Sequence, residues 1–284
     1  MDDVLRQAES FSRQGKTVLI AYDIDNTLLA ADQTLGSEPW VDAMVASLLP
    51  LNQPSTQDLF HLRLQTQLLD GVYDDLVEAI ADENKSHLVD GAVAGEIRDL
   101  QRKPGVKMII LTSRDGRVSG STDRALKENG LDFAGSKFGQ DMSVFTVPGC
   151  PKPGSYQDGI FSTYGSNKGL MLTAMLQAQK FAPDVVLYVD NKQSEVDRVY
   201  GALKDANVNI IAYRYSRMDD EAKAYQARPD HPEARVELKA WKESGHILSD
   251  AEAQVVIDRD PGHDPVPASE ANMLIYGTEN PFAP

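Results

Sequence analysis

Apolar and polar positions along the chain follow two periods, and the points where one period gives way to the other mark its elements. Residues 4–14 show the 3.6-residue spacing of a short amphipathic helix that stops at Gly15, and residues 17–22 are then an unbroken β-branched and apolar run of strand length. From about residue 40 to residue 84 the helical period returns, carried by Val41, Met44, Val45 and Leu48, then Leu59, Leu62 and Leu69, then Leu76, Val77 and Ile80. A helix is expected over residues 92–102, a second apolar strand (VKMIIL) over 106–111, and a helix over 123–129 closed by Gly130. Residues 135–165 are rich in Gly, Pro and Ser and read as a surface excursion, a hairpin with strands at 143–147 and 159–163.

After this excursion the alternation is regular: helix 167–181, strand 184–189 (DVVLYV), helix 194–206 and strand 209–213. Short apolar strands alternating with amphipathic helices predict an α/β fold, a Rossmann-like parallel sheet with helices on both faces. Two more helices are expected at 218–227 and 232–244, and the last 25 residues hold five prolines and little periodicity. The expected division is an α/β core from residues 1–31 and 90–257, a small helical cap from 32–89, and a loosely packed or disordered tail from 258–284.

Composition narrows the function classes. Hydrophobic residues are 42% of the 284 and charged ones 25%, which is globular, while a net charge of −15 opposes binding to nucleic acid or to anionic membranes. No Lys/Arg-rich run offers a local exception, and no apolar run is long enough to cross a bilayer. The opening MDDVLRQAES has an acidic start and no apolar stretch, unlike a signal peptide. A soluble protein follows, with the cytoplasm favoured and a periplasmic or secreted place left open if a leader has been removed. The single Cys150 excludes an intramolecular disulfide.

In an open parallel sheet, ligands bind beyond the carboxyl ends of the strands. There the chain places Asp23, Asp25, Asn26 and Thr27 after the first apolar run, and Thr112, Ser113, Arg114 and Asp115 after the second. Asp190, Asn191 and Lys192 follow the DVVLYV run, and Lys168 opens the helix before it. Acids from two strands with hydroxyls and a lysine beside them are oxygen ligands for Mg2+ and donors for phosphoryl oxygens.

DIDNT at 23–27, ILTSR at 110–114, NKG at 167–169 and VDN at 189–191 together resemble, in order and spacing, the four motifs of the haloacid dehalogenase (HAD)-like superfamily of phosphohydrolases. The resemblance covers roughly residues 15–215, and within the superfamily the chain is similar to a bacterial branch with a helical cap inserted after the first motif. It implies a Mg2+-dependent phosphatase in which Asp23 is the nucleophile that becomes an aspartyl phosphate. Asp25 is then the general acid and base, with a pKa raised by burial and neighbouring acids, and its backbone carbonyl joins Asp23 and Asp190 as a metal ligand. Thr112, Ser113 and Lys168 hold the phosphate, and Arg114 anchors substrate or loop. Position 191 departs from the usual pattern, an Asn where a second acid is common; Asn191 ranks first and Glu195 second as the additional ligand. The substrate is a phosphorylated small molecule or a phosphopeptide. The alternative is a HAD-like metal- and phosphate-binding regulatory protein with weakened catalysis.

Other patterns carry less. DIDNTLLAADQT departs from a calcium loop at Leu28 and Thr34, the stretch after Cys150 has Tyr156 where a cysteine phosphatase needs arginine, and the five histidines show no metal spacing. Trp40, Phe60, His61 and Tyr73 are candidates to line the cap over the site, with packing of the cap's helices the favoured role for each.

Overall fold

The computed structural model describes residues 1–47, 56–261 and 264–277, and the side chains of residues 56–65 lie outside the described part. The chain forms two compact units, one from Met1–Ala30 with Leu88–Met218 and the other from Ala31–His87 with Asp219–Pro284.

The first unit is the expected α/β fold. In chain order it comprises α1 (Asp2–Arg13), β1 (Val18–Tyr22), α4 (Val93–Gln101), β4 (Val106–Thr112), α5 (Ser119–Glu128), β5 (Met142–Phe145), β6 (Gly154–Gln157), β7 (Ile160–Ser162), α6 (Lys168–Ala178), β8 (Val185–Asp190), α7 (Gln193–Asp205) and β9 (Ile210–Arg214). The seven strands run in the order β5-β6-β7-β4-β1-β8-β9. β1 lies between β4 and β8, parallel to both, and β8–β9 and β4–β7 are parallel too. All five residues of β1 are buried. Leu19 and Ala21 share a core with Met171, Leu172 and Met175 of α6 and Val199 and Leu203 of α7, while Val18, Ile20 and Tyr22, pointing the other way, are equally covered. A strand covered on both faces gains nothing from alternation, hence its continuous apolar run.

The Gly/Pro/Ser-rich stretch is not the surface excursion expected. β5 and β6 are antiparallel, as are β6 and β7, and the three extend the main sheet. Phe145, Tyr156 and Phe161 bury their rings together there. Gly154 has to be a glycine, because a Cβ would lie 2.6 Å from the Ser162 carbonyl oxygen and from the Met171 side chain. Residues of low strand propensity are used because the backbones approach so closely.

The chain leaves and re-enters this unit along a two-stranded ribbon, β2 (Leu29–Ala31) with β3 (Ser86–Leu88). The second unit is built from α2 (Glu38–Ser47), α3 (Thr56–Asp82), α8 (Asp219–Ala227), α9 (Pro232–Ser244), α10 (Asp250–Asp258) and α11 (Ala268–Tyr276). The division therefore differs from the one expected in two ways: residues 219–257 join the insert and not the α/β core, and part of the expected loose tail is a packed helix. Leu35, Trp40, Leu69 and Leu76 from the insert form one core with Ala234, Leu238, Ile247, Ala271 and Ile275. The insert's helices carry an apolar face that their own sequence neighbourhood leaves uncovered, and α9 and α11 cover it. Trp40 packs in this core as anticipated, whereas the expectation for Phe60 and His61 falls outside the described side chains, as does the interval 48–55 of the expected helical run.

Two acids secure the join. Glu237 of α9, with no exposed surface, accepts the Leu35 N–H at 2.7 Å, and Asp250 at the start of α10 accepts the Thr34 N–H at 2.5 Å. Burial pushes the Glu237 carboxyl up to about 9, and the neighbouring Asp250 pushes the same way.

Candidate active site

Side chains on a strand alternate between faces, and this period brings the expected acids together. Asp23 continues the Leu19–Ala21 face of β1, and Asp190 continues the Val186–Tyr188 face of β8. Ala21 and Tyr188 are register partners, and the Asp23 N–H bonds the Val189 carbonyl at 2.9 Å. Both acids thus emerge on the face covered by α6. That helix begins at Lys168, capped by Asn167, whose side chain accepts from Gly169 N–H at 3.0 Å and Leu170 N–H at 3.1 Å. Gly169 lets α6 sit close against α7, since a Cβ there would lie 2.5 Å from the Arg198 carbonyl oxygen.

The result is a buried ionic cluster. Lys168 Nζ donates to Asp23 Oδ1 at 2.6 Å and to Asp190 Oδ2 at 2.8 Å. All three are buried, the lysine side chain being 3% exposed. Burial by itself would lower the Lys168 pKa, but Asp23, Tyr188 and Asp190 together raise it well above its ordinary value and keep it charged. Asp190 Oδ1 accepts the Lys192 N–H at 2.8 Å, and the Tyr188 hydroxyl donates to Asp190 Oδ2. Thr27 Oγ1 accepts the Asn191 N–H at 3.0 Å and stands 3.5 Å from Asp23 Oδ2 as its donor.

Asp25 lies beside this cluster in a pair of its own. Arg114 donates Nε to Asp25 Oδ2 at 3.1 Å and a terminal nitrogen to Oδ1 at 2.7 Å, a bidentate fork. The guanidinium is steadied by Thr122 Oγ1 at 3.3 Å, and the Arg114 N–H bonds Thr112 Oγ1 at 3.2 Å. Here the expected pKa is reversed. Burial does push Asp25 up, but the charge and hydrogen bonds of Arg114, backed by Lys168 and Lys192, outweigh it and leave the carboxyl below its ordinary value. The neighbours that decide are cations, not acids.

Of the residues singled out from sequence, Asp23, Lys168 and Asp190 meet directly, Asp25 and Arg114 meet each other, and Thr112 and Asn191 join through backbone bonds. Ser113 is exposed, and its carbonyl accepts the Gly165 N–H at 3.0 Å. Tyr188 was not singled out. Its signal was there, a phenol two residues before Asp190 in an otherwise aliphatic strand, and therefore on the same face.

Among the described residues no three Asp, Glu, His or Cys side chains converge to hold a metal. Mg2+ does not need three, since it keeps waters and is commonly held by one or two carboxylates and substrate phosphate. The donor set fits that habit. Asp23 and Asp190 reach the same ammonium, so their oxygens lie no farther apart than about two hydrogen-bond lengths, and one lysine against two carboxylates leaves a negative charge in that trio. Glu195, five residues beyond Asp190, has one oxygen on Arg198 at 2.6 Å and a buried Oε2 without a hydrogen-bond partner.

A family model described as a protein of unknown function (DUF2608) matches residues 1–254. Among curated proteins and among solved structures nothing matches the chain significantly. Among the described residues no helix is long and apolar enough to cross a membrane.

Proposed function

The chain belongs to the DUF2608 family, and we propose that it is a Mg2+-dependent phosphomonoesterase of the HAD-like kind, working through a covalent aspartyl phosphate on Asp23. The observation that carries the reading is the meeting of Asp23 and Asp190, from adjacent parallel strands, on the single buried ammonium of Lys168. A structural ion pair needs one acid per cation. Two acids on one lysine at the carboxyl end of a sheet suit a site that a dication and a phosphoryl group complete.

In this reading Asp23, Asp190 and the Asp25 carbonyl hold the metal, with Asn191 and Glu195 as further oxygen donors. When bound, Mg2+ supplies positive charge that lets an anionic carboxylate approach an anionic phosphoryl group. An Asp23 oxygen attacks phosphorus as the ester oxygen departs, and Asp25 gives the departing oxygen its proton. Water then attacks phosphorus, Asp25 takes the water's proton, and the Asp23–phosphorus bond breaks to release phosphate. Lys168 and the Thr112 hydroxyl steady the phosphoryl oxygens. At rest Asp25 is an ionised partner of Arg114. Its acid role therefore requires Arg114 to transfer its fork to another anion, and the substrate phosphate is such an anion.

That same pair is what favours the second reading, a metal- and phosphate-binding regulatory protein in which Asp25 stays locked and turnover is weak. One experiment separates them. With Mg2+ and p-nitrophenyl phosphate, the wild-type protein should turn over and Asp23→Asn should lose at least about 10³-fold in kcat, as expected when a covalent nucleophile is removed. Equal inertness of both proteins across several phosphoesters would sink the enzyme reading.

A further inference from the structure

Beside the Asp25–Arg114 pair stands a group of cations to which the chemistry above gives no task. The chain leaving β7 follows the end of β4, with the Thr163 N–H on the Thr112 carbonyl at 2.8 Å and the Tyr164 N–H on the Arg114 carbonyl at 3.3 Å. Tyr164, partly buried with φ of 49°, is thereby fixed next to the residue whose guanidinium holds Asp25. Two cations meet its ring. Lys152 Nζ lies 3.7 Å from the ring centroid, the guanidinium carbon of Arg117 lies 5.9 Å from it, and Arg117 donates to the Tyr164 hydroxyl at 3.4 Å.

Neither cation is left to wander. Asp115 accepts the Arg117 backbone N–H at 2.9 Å and its Nε at 2.7 Å. The Lys152 backbone is tied both ways to the Ser166 hydroxyl, its N–H donating at 3.4 Å and its carbonyl accepting at 3.0 Å. Yet the Arg117 side chain is 66% exposed, so the arrangement contributes little to stability. Exposed long side chains fixed in advance lose less entropy when they meet a ligand, which is how a binding site gains affinity. The setting sharpens the point. In a chain with 43 acids against 28 basic residues, Arg114, Arg117, Lys152, Lys168 and Lys192 collect around the carboxyl ends of β4, β7 and β8. Such a local reversal of sign draws in ligands of higher negative charge than a simple ester.

We propose that Arg117, Lys152 and Tyr164 form a specificity corner of the phosphatase site, taking a second anionic group, phosphate or carboxylate, carried on the alcohol portion of the phosphomonoester. This rests on the phosphatase reading. Arg117 offers a planar fork to two oxygens, and Lys152 offers a point charge. The Tyr164 hydroxyl accepts from Arg117 and keeps its own hydrogen to donate, so the corner presents three kinds of donor to one anion.

The test compares kcat/KM with Mg2+ for p-nitrophenyl phosphate, 3-phosphoglycerate and fructose 1,6-bisphosphate in wild type, Arg117→Ala and Lys152→Ala. The preference for the two-anion esters over the aryl phosphate should fall about 10-fold in each variant, chiefly through KM, as for a lost charge-assisted hydrogen bond. The two esters tell carboxylate from phosphate. A preference absent in wild type, or unchanged in both variants, overturns the inference. A measurement independent of turnover runs beside it: calorimetric binding of pyrophosphate and of orthophosphate, with Mg2+, to Asp23→Asn protein with and without Arg117→Ala. Pyrophosphate should weaken about 10-fold more than orthophosphate. Binding preference without turnover defeats the phosphatase reading alone; turnover without preference defeats the corner alone.

Discussion

Each of the two units buries acidic side chains, and they solve the problem in opposite ways. In the α/β unit Asp23 and Asp190 share the ammonium of Lys168. In the helical unit burial, and after it the neighbouring Asp250, push Glu237 up to about 9, so that it is neutral near pH 7. A neutral acid serves well as a backbone clamp, since Glu237 needs no counter-charge and spends an oxygen on the Leu35 N–H, while Asp250 takes the Thr34 N–H. A charged cluster kept dry is costly to assemble, and its retention at the strand ends is what points to chemistry there.

The comparison breaks most readily at Lys168. Lys168→Met leaves two buried carboxylates without their cation and should cost about 3–5 kcal/mol in urea unfolding at pH 7; a loss under about 1 kcal/mol would mean that the acids take up protons and the cluster is not ionic. The helical pair predicts a different pH signature. A carboxyl held above its ordinary value in the folded state makes stability fall as pH rises, here between about pH 5 and 9. Lys168, raised far above neutrality, contributes evenly across that window. Glu237→Gln, which mimics the protonated acid, should remove the decline and stabilise the protein at pH 9 by on the order of 2–4 kcal/mol. Identical pH–Tm curves for variant and wild type would count against a protonated Glu237.

Smaller changes sharpen the contrast. Tyr188→Phe removes one donor from Asp190 and should destabilise by about 1–2 kcal/mol while lowering kcat; an unchanged kcat would reduce Tyr188 to packing. Arg114→Gln should raise the Asp25 pKa, because Arg114 is the strongest of the groups that lower it. On the proposed mechanism the alkaline limb of the kcat/KM profile reports the loss of protonated Asp25, and it should then move to higher pH. A limb that stays put would show that another group donates the proton.

Asp23, Lys168 and Asp190 were legible because a strand's end and a helix's start are marked in sequence, and parallel topology sends such ends to one rim. Arg114 was named, but its hold on Asp25 was not foreseen, since spacing says nothing of which side chain reaches which acid. Strands were expected where β5 and β7 lie, but β6 hid behind Gly154, which close backbone contact demands. The union of residues 31–87 with 219–284 was invisible for a different reason: each helix shows its apolar face, but no local signal names the partner.

That union also has a consequence for synthesis. The α/β unit is complete once Met218 has left the ribosome, whereas Leu35, Trp40, Leu69 and Leu76 must wait, translated earlier, for α9 and α11. For that interval the nascent chain carries an uncovered apolar surface, the kind of half-finished structure that chaperones bind and that aggregates when they do not. A chain stopped after Met218 should display that surface permanently, as bright binding of a hydrophobic dye beside a native-like far-ultraviolet dichroism of the sheet unit; a dark, monomeric truncation would show that the insert finds cover without its C-terminal helices.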